Sequence, residues 1–339
     1  MKNLFQGKKI GIDLGTTNTI VFVSGKGIII NEPTVVAINR ITKTIEAIGS
    51  EAKEMVGKTP DAVSVIKPMQ DGAIANFFIT YAMLKHFITK ALGRTSFFKP
   101  DVLVSVPSGI TSTERRAVIE ATIKAGAKNA FIVKEPILAA LGAGVPINEA
   151  SGHMIIDSGG GTTDVAVISL GGVIASTSVK CAGNKIDQAL REYVRRTYNV
   201  SIGDQSAEEL KKTLASAMPI NPDVKGTVKG RDIVTGLPKT LELTTNELVK
   251  AIDEELKLIV KAIKTVLEET PPELASDIID NGIVMTGGTS LLAHLPDLIQ
   301  KESGVKVRLA DDALYAVAKG TGILLGHIGE YKRSILAKR

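Results

Sequence analysis

The chain has no tryptophan, a single cysteine and four histidines among 339 residues. With Cys181 alone, no internal disulfide can form, and one thiol suits a reducing compartment. His86, His153, His294 and His327 are scattered without metal-ligand spacing and read as packing or surface residues. No segment offers 18 uninterrupted apolar residues, so nothing in the sequence reads as a membrane-spanning helix. The opening "MKNLFQGKKIGID" lacks the apolar run of a signal peptide. Nor is there a block of one charge: the net charge is +5, with lysines and arginines spread along the chain. That excludes a nucleic-acid stripe, and no nucleic-acid partner is expected.

What is present is an ordinary globular composition, 44% hydrophobic and 23% charged. The length exceeds what one core usually fills, so two lobes are expected. Strands alternate with helices throughout, which gives an α/β class. Strands are read at 9–14, 19–24, 28–30 and 35–38, with Asn31, Glu32 and Pro33 as a turn between the last two. Helices are read at 73–92, 111–125, 186–197, 206–216 and 245–269, and a closing helical region begins at 313.

Two stretches share a plan. "IGIDLGTTNTIVFVSGKG" (10–27) and "MIIDSGGGTTDVAVISLGG" (154–172) each run Ile-Asp-x-Gly, then threonines, then alternating Val and Ile. Asp13 and Asp157 hold equivalent places, which argues for duplication into two facing lobes. Bare glycine turns let backbone N–H groups converge on an anion. Two such turns can grip a polyphosphate from both sides. Carboxylates beside phosphate repel it, so Asp13 and Asp157 imply a bridging Mg²⁺ that keeps several waters. Thr16, Thr17, Thr162 and Thr163 add donors. Other phosphate motifs fail. "GKT" at 57–59 lacks the P-loop's first glycine, because position 52 is Ala52, and Pro60 follows. A G-x-G-x-x-G reading from Gly159 ends on Asp164. Serine-hydrolase and kinase-loop signatures are absent.

"GIDLGTTNT", "IDSGGGTTDVAVISLG" and "IVMTGGTSLL" resemble the two phosphate motifs and the adenosine motif of the actin-like ATPases, which include actin, the heat-shock chaperone ATPases, sugar kinases and bacterial actins. Within these, "GKGIIINEPTVVAI", "ERRAVIEATIKAGA", "EPILAALGAG" and "LEETPPELASDIIDNGIVMTGG" are similar to the bacterial shape-determining actins, the MreB family, over roughly residues 9–326. The resemblance implies an actin-like fold: two duplicated lobes, each a mixed sheet with flanking helices, and a nucleotide cleft between them. The expected division is a first-lobe core at 1–34, 68–149 and 316–339 with a small subdomain at 35–67. The second-lobe core is expected at 150–184 and 249–315, with a small subdomain at 185–248.

The resemblance also implies site residues, position by position. Asp13 and Asp157 hold Mg²⁺ through water. Gly15, Thr16, Thr17 and Asn18 surround the phosphates, as do Gly159, Gly160 and Gly161. Glu135, in "VKEPILAA", positions the hydrolytic water with Thr162. Gly183 and Asn184 begin the loop near the sugar. Glu208 and Lys211 form an E-x-x-K motif beside ribose and adenine; read from spacing alone they are an exposed ion pair. Gly287 and Gly288 turn against the nucleoside. Four positions depart from the family pattern: Ser158 for an apolar residue, Thr289 for a third glycine, Ala215 for a glycine near adenine, and Gln70 for an arginine.

The implied function is a filament-forming cytoskeletal ATPase using ATP/ADP and Mg²⁺. It is expected in the cytoplasm at the inner face of the cell membrane, supporting cell shape, or movement in a wall-less cell. Its implied partners are other copies of itself, head to tail and paired through the 113–125 helix, together with an anionic membrane surface and membrane or cell-shape proteins. The alternatives are a non-polymerising small-molecule kinase of the same superfamily and a nucleotide-bound scaffold without hydrolysis. For membrane contact two segments stand out. "RTSFFKP" sets Phe97 and Phe98 between basic residues. At the C-terminus, Leu324, Ile328, Tyr331 and Ile335 make a helical-spacing stripe beside Lys332, Arg333, Lys338 and Arg339, which reads as a basic amphipathic helix. Leu4 and Phe5, among lysines, are a third candidate.

Overall fold

Two sheets carry the fold and repeat one plan. In the first, Gly27–Pro33, Asn18–Val23 and Lys9–Leu14 form an antiparallel meander, and Asp101–Val106 and Asn129–Lys134 continue from Lys9–Leu14 in parallel. In the second, Gly172–Val179, Thr163–Ser169 and His153–Ser158 form the meander, and Ile283–Thr286 and Val307–Leu309 continue in parallel. Asp13 lies opposite Ile20, and Asp157 opposite Asp164, at the same offset in both sheets. The architecture is seen in a computed structural model that describes residues 8–56, 58, 62–70, 73–74, 77–93 and 98–338, with backbone alone at 69–70, 73–74 and 337–338.

The central strands of the second sheet are buried along their whole length, as expected when helices cover both faces. Two of the covering helices lie between the sheets. Glu135–Gly142 starts directly after the strand Asn129–Lys134, with Pro136 in its first turn, where a missing N–H costs nothing. Ala316–Gly326 packs along it, and one apolar cluster joins Leu138 and Leu324 to Phe131 of the first sheet and Ile155 and Val284 of the second. Each lobe also has its own core, around Phe87 and Ile12 in the first and around Leu190 and Ile259 in the second. Small three-stranded sheets, Val36–Asn39 with Ile45–Ile48 and Val63–Ile66, and Val200–Ser201 with Lys225–Asp232 and Pro238–Thr244, extend these cores, the first through Val36 and the second through Val200, Val228, Leu241 and Leu243.

Several sequence expectations are corrected. Asn31, Glu32 and Pro33 are strand rather than turn, paired with Asn18, Thr19 and Ile20. The helix read at 73–92 begins at Phe77. The helix read at 245–269 is two, Thr245–Ala251 and Asp253–Glu269, parted at the buried Ile252, where three acidic residues open a new N-terminus. The helix at 111–125 has the expected start: Thr111 and Glu114 form a reciprocal capping box around Ser112–Lys124. The C-terminus is not an amphipathic helix. Ala316–Gly326 stops at a glycine, and Ile335–Lys338 returns as a strand antiparallel to Asn129–Lys134. Leu324 is fully buried, and Ile328, Tyr331 and Ile335 pack on the core between the lobes, so the stripe faces inward.

The two central helices approach closely because glycine permits it. A Cβ on Gly320 would lie 1.9 Å from the Leu138 carbonyl oxygen, and one on Gly142 would lie 1.8 Å from that of Ala316. Gly320→Val must push backbone aside, so we expect a loss of about 3 kcal/mol or more in denaturant unfolding. Gly326→Ala, whose added methyl meets nothing within 4 Å, should leave the midpoint nearly unchanged.

Candidate functional site

The ends of the two meanders face each other across the junction of the lobes. A Cβ on Gly160 would lie 1.8 Å from Thr17 Oγ1, and one on Gly161 would lie 2.5 Å from Thr16 Oγ1, so the two expected phosphate turns are in direct apposition. The first turn is fixed from behind: the Thr34 hydroxyl donates to the Gly15 carbonyl at 2.7 Å and also meets Thr19 Oγ1 at 2.9 Å. Asn18 donates to Asn31 Oδ1 at 2.8 Å. The second turn closes on itself, with Gly159 N–H donating to the Thr162 carbonyl at 2.9 Å. Gly183 and Asn184 open the Gly183–Tyr198 helix against it, Asn184 N–H donating to the Gly160 carbonyl at 2.8 Å. The Thr17 hydroxyl reaches Asn184 Oδ1 at 3.4 Å.

The nucleoside turn joins the same place. Gly287 has φ 85°, and a Cβ there would lie 2.3 Å from the Ser158 carbonyl and 2.9 Å from Asp157 Oδ1, so glycine is needed twice over. Gly288 starts the short helical turn Gly288–Leu291. The Thr289 hydroxyl donates to the Gly159 carbonyl at 2.6 Å, and the Ser158 hydroxyl meets Thr163 Oγ1 at 2.7 Å, so both departures from the family pattern are hydrogen-bonded into the phosphate turn. Lys211 and Glu208 do not pair with each other. Lys211 binds the Gly183 carbonyl at 3.1 Å and Asp187 at 2.9 Å, whereas Glu208 binds Lys212 at 2.5 Å.

Beneath the turns, carboxyl groups of both lobes gather. Asp157 and Glu135 are buried and Asp13 is part-buried. The Ser105 hydroxyl donates to Asp13 at 2.8 Å, and that of Thr286 to Asp157 at 2.8 Å. Burial pushes Asp13 up to about 6, against the pull of Ser105. Burial pushes Asp157 up to about 7; its bond from Thr286 opposes this, while the charges of Asp13 and Asp164 add to it. Glu135 is driven well above the usual carboxylate range, first by burial and then by Asp164, Asp13 and Asp157. The sequence reading passed over Asp164, noting it only as a broken dinucleotide motif. Its signal was an acidic residue inside an otherwise apolar strand, "TDVAVIS". Ser105 and Thr286 carried no such signal.

The donor set fits a hard divalent cation: hard oxygen anions, partly desolvated and mutually repelling. Among the described residues no three acidic or imidazole groups stand close enough to ligate one ion directly; Mg²⁺ usually keeps several waters, and through these Asp13 and Asp157 would hold it. Of the expected membrane residues, Phe98, Lys332 and Arg333 are exposed, Lys338 lies in the edge strand, and Phe97 and Arg339 lie outside the described residues. The side chain at Gln70 is likewise outside them.

The raised carboxyls set a pH dependence. A carboxyl whose folded pKa lies above its unfolded value holds its proton more tightly in the folded state. Its stabilisation is complete below about pH 4 and is lost as pH rises through about 6 for Asp13 and about 7 for Asp157. With a chelator and no nucleotide, stability should therefore fall between pH 4 and 7. Asp157→Asn should show a shallower fall, read from urea midpoints across that range.

The MreB/Mbl protein family model matches residues 7–333. Cell shape-determining protein Mbl of Bacillus cereus is 45% identical over 329 residues, covering 97% of this chain and 99% of that one. Cell shape-determining protein MreB of Escherichia coli is 47% identical over 319 residues, 92% of each chain. The crystal structure of MreB5 of Spiroplasma citri bound to AMPPNP superposes with a TM-score of 0.90 at 37% identity, covering 96% of this chain and 98% of that one. The MamK double helical filament, at 20% identity, superposes with a TM-score of 0.80 over 95% of this chain and 99% of that one, which speaks for the fold alone. With its repeated sheets in the actin-like arrangement, the chain belongs to the MreB/Mbl family.

Proposed function

We propose that this protein is a filament-forming, ATP-hydrolysing cytoskeletal protein of the inner membrane face that determines cell shape. The observation that carries the reading is the gathering of Asp13, Glu135 and Asp157, from both lobes, beneath two opposed glycine turns. The relatives named above are cell shape-determining proteins, and the Spiroplasma neighbour is known bound to AMPPNP and, in a second structure, to ADP. Head-to-tail stacking through unlike surfaces gives open filaments.

In this reading the glycine turns and Thr16, Thr17 and Asn18 hold the phosphates. Gly183, Asn184, Lys211, Gly287 and Gly288 hold the nucleoside side. Mg²⁺, when bound, neutralises phosphate charge and supplies ordered waters. Asp13 and Asp157 orient those waters. Glu135 accepts a hydrogen bond from the attacking water, with Thr162 beside it. Without a cation the buried carboxyls tend to keep their protons; a nearby positive charge favours their ionised forms. The acceptor role of Glu135 would thereby depend on a bound cation.

For the membrane, the register moves the emphasis. Lys338 pairs with Phe131, and Asn129 with Asp101, so the end of the C-terminal strand, Phe98, Lys99 and the exposed Lys128 share one end of the first sheet. Lys332 and Arg333 precede the strand and lie toward its other end. An apolar ring beside lysines is the chemistry of an anionic leaflet.

Two experiments test the reading. Phosphate release measured beside sedimentation should show ATP-dependent pelleting, and Glu135→Ala should slow release by about 10²-fold while nucleotide still binds. Unchanged release would remove Glu135 from the reaction, and release without pelleting would favour a soluble kinase. In liposome flotation, binding should rise with anionic lipid and fall with salt. Phe98→Ser should lower it at every salt concentration. Lys99→Glu with Lys128→Glu should cut it about tenfold or more at low salt, at ~1 kcal/mol per basic residue. If Lys332→Glu with Arg333→Glu alone abolishes binding, the other end of the sheet is the anchor.

A further inference from the structure

The repeat supplies an internal control. In the first sheet the residue facing Asp13 on the adjacent strand is Ile20, buried with 3% exposure. In the second the residue facing Asp157 is Asp164, with 0% exposure. The architecture thus accepts an apolar side chain at this place, and in one lobe has one. A carboxylate with no access to water is costly unless it is hydrogen-bonded. The fold does not ask for Asp164, so its function must be sought in what it binds.

Asp164 Oδ1 accepts the backbone N–H of Ser108 at 2.7 Å. Ser108 belongs to the other lobe, in the loop that leaves the first-sheet strand Asp101–Val106. Three residues earlier the same chain segment gives the Ser105 hydroxyl to Asp13. Asp164 also lies opposite Ser178 on its other flanking strand; burial raises its proton affinity, and the Ser108 N–H opposes this most strongly, while its Oδ2 is buried without a hydrogen-bond partner. Gly109 follows, and a Cβ there would stand 3.5 Å from that of Ser178, so the loop rests on the second sheet. One segment therefore touches Asp13 in its own lobe and Asp164 in the other. Thr162, proposed beside the attacking water, sits two residues from this bond.

We infer that Asp164 is a positioning residue: by accepting the Ser108 N–H across the lobe junction, it holds Thr162 of one lobe in register with Asp13 and the 105–108 segment of the other. The role requires an acceptor at this place and not a charge, and it acts on turnover more than on nucleotide binding. It rests on the proposed ATPase reading for its kinetic half only. The bond itself is open to measurement without nucleotide.

The test uses the full chain and three measurements: phosphate release at saturating Mg²⁺-ATP, ADP affinity, and hydrogen exchange at the Ser108 amide read by NMR. Asp164→Ala removes the acceptor. It should slow release at least tenfold, keep the ADP Kd within about twofold, and speed Ser108 exchange at least tenfold. Asp164→Asn keeps a carbonyl acceptor and should lose only about threefold in release, with Ser108 still protected. If the asparagine variant is as slow as the alanine one, the charge is what matters and the inference falls. It falls equally if Ser108 exchange is unmoved in Asp164→Ala, or if ADP affinity drops in step with turnover, as a merely structural role would give. Should Asp164→Ala not fold, the asparagine variant decides: fast Ser108 exchange in it overturns the inference. A parent protein that releases no phosphate would count against the ATPase reading, while the Ser108 amide would still report on the bond.

Discussion

Like charges buried together are the constraint on which the rest of this molecule turns. Asp13, Glu135, Asp157 and Asp164 come from three separate segments of chain and from both lobes, and burial first, then neighbouring charge, raises the proton affinity of Glu135 and Asp157. Hydrophobic burial alone would scatter such groups to the surface. They stay because the strands, and for Glu135 the helix, that carry them are packed among buried apolar side chains, and because hydroxyls of Ser105 and Thr286 reach two of them. The packing between the lobes is what confines the repulsion. A bound cation would relieve it. The site is thus kept poised by a cost that the surrounding core bears, as is usual where a fold places chemistry.

The duplication makes this economical. One meander, used twice, delivers an aspartate and a bare turn from each side, and the apposition of Gly160 with Thr17 follows from facing the copies. Where the copies differ is informative: Ile20 in one lobe and Asp164 in the other occupy one structural position. The helix Glu135–Gly142 has no freedom to drift, because it is wedged between the sheets. Glutamate at its first turn is therefore aimed by the core and not by a loop.

Much of this was legible in the sequence. The repeated Ile-Asp-x-Gly stretches announced both the lobes and the opposed turns, since glycine beside aspartate at a strand end has few other uses. The strand-to-helix step at Lys134, Glu135 and Pro136 was readable from proline chemistry. Other parts were hidden for physical reasons. The pairing partner of a C-terminal strand lies far away in sequence, so Leu324, Ile328, Tyr331 and Ile335 showed a helical period though only the first lies in a helix. The break at Ile252 had no glycine or proline to mark it. Hydroxyl contacts such as Thr289 to Gly159 depend on three-dimensional approach. Asp164 was visible but ambiguous, because a lone acidic residue in an apolar strand does not say what it faces.

The placement of Ala316–Gly326 and Ile335–Lys338 has a consequence for synthesis. Five of the first sheet's six strands are complete once Lys134 has been made, but the helix that covers one of its faces and the strand that closes its second edge come at the far end of the chain. At ~5–20 residues per second, the ribosome needs about 10–40 s to travel from one to the other. Throughout that interval the edge strand Asn129–Lys134 and the surface that will receive Gly320 are open. The second lobe, whose strands and helices lie within the intervening stretch, has all its own parts before the first lobe has the last of its own. A nascent chain of this kind is therefore finished in the reverse order of its lobes, and its earlier half stays unsealed for longer.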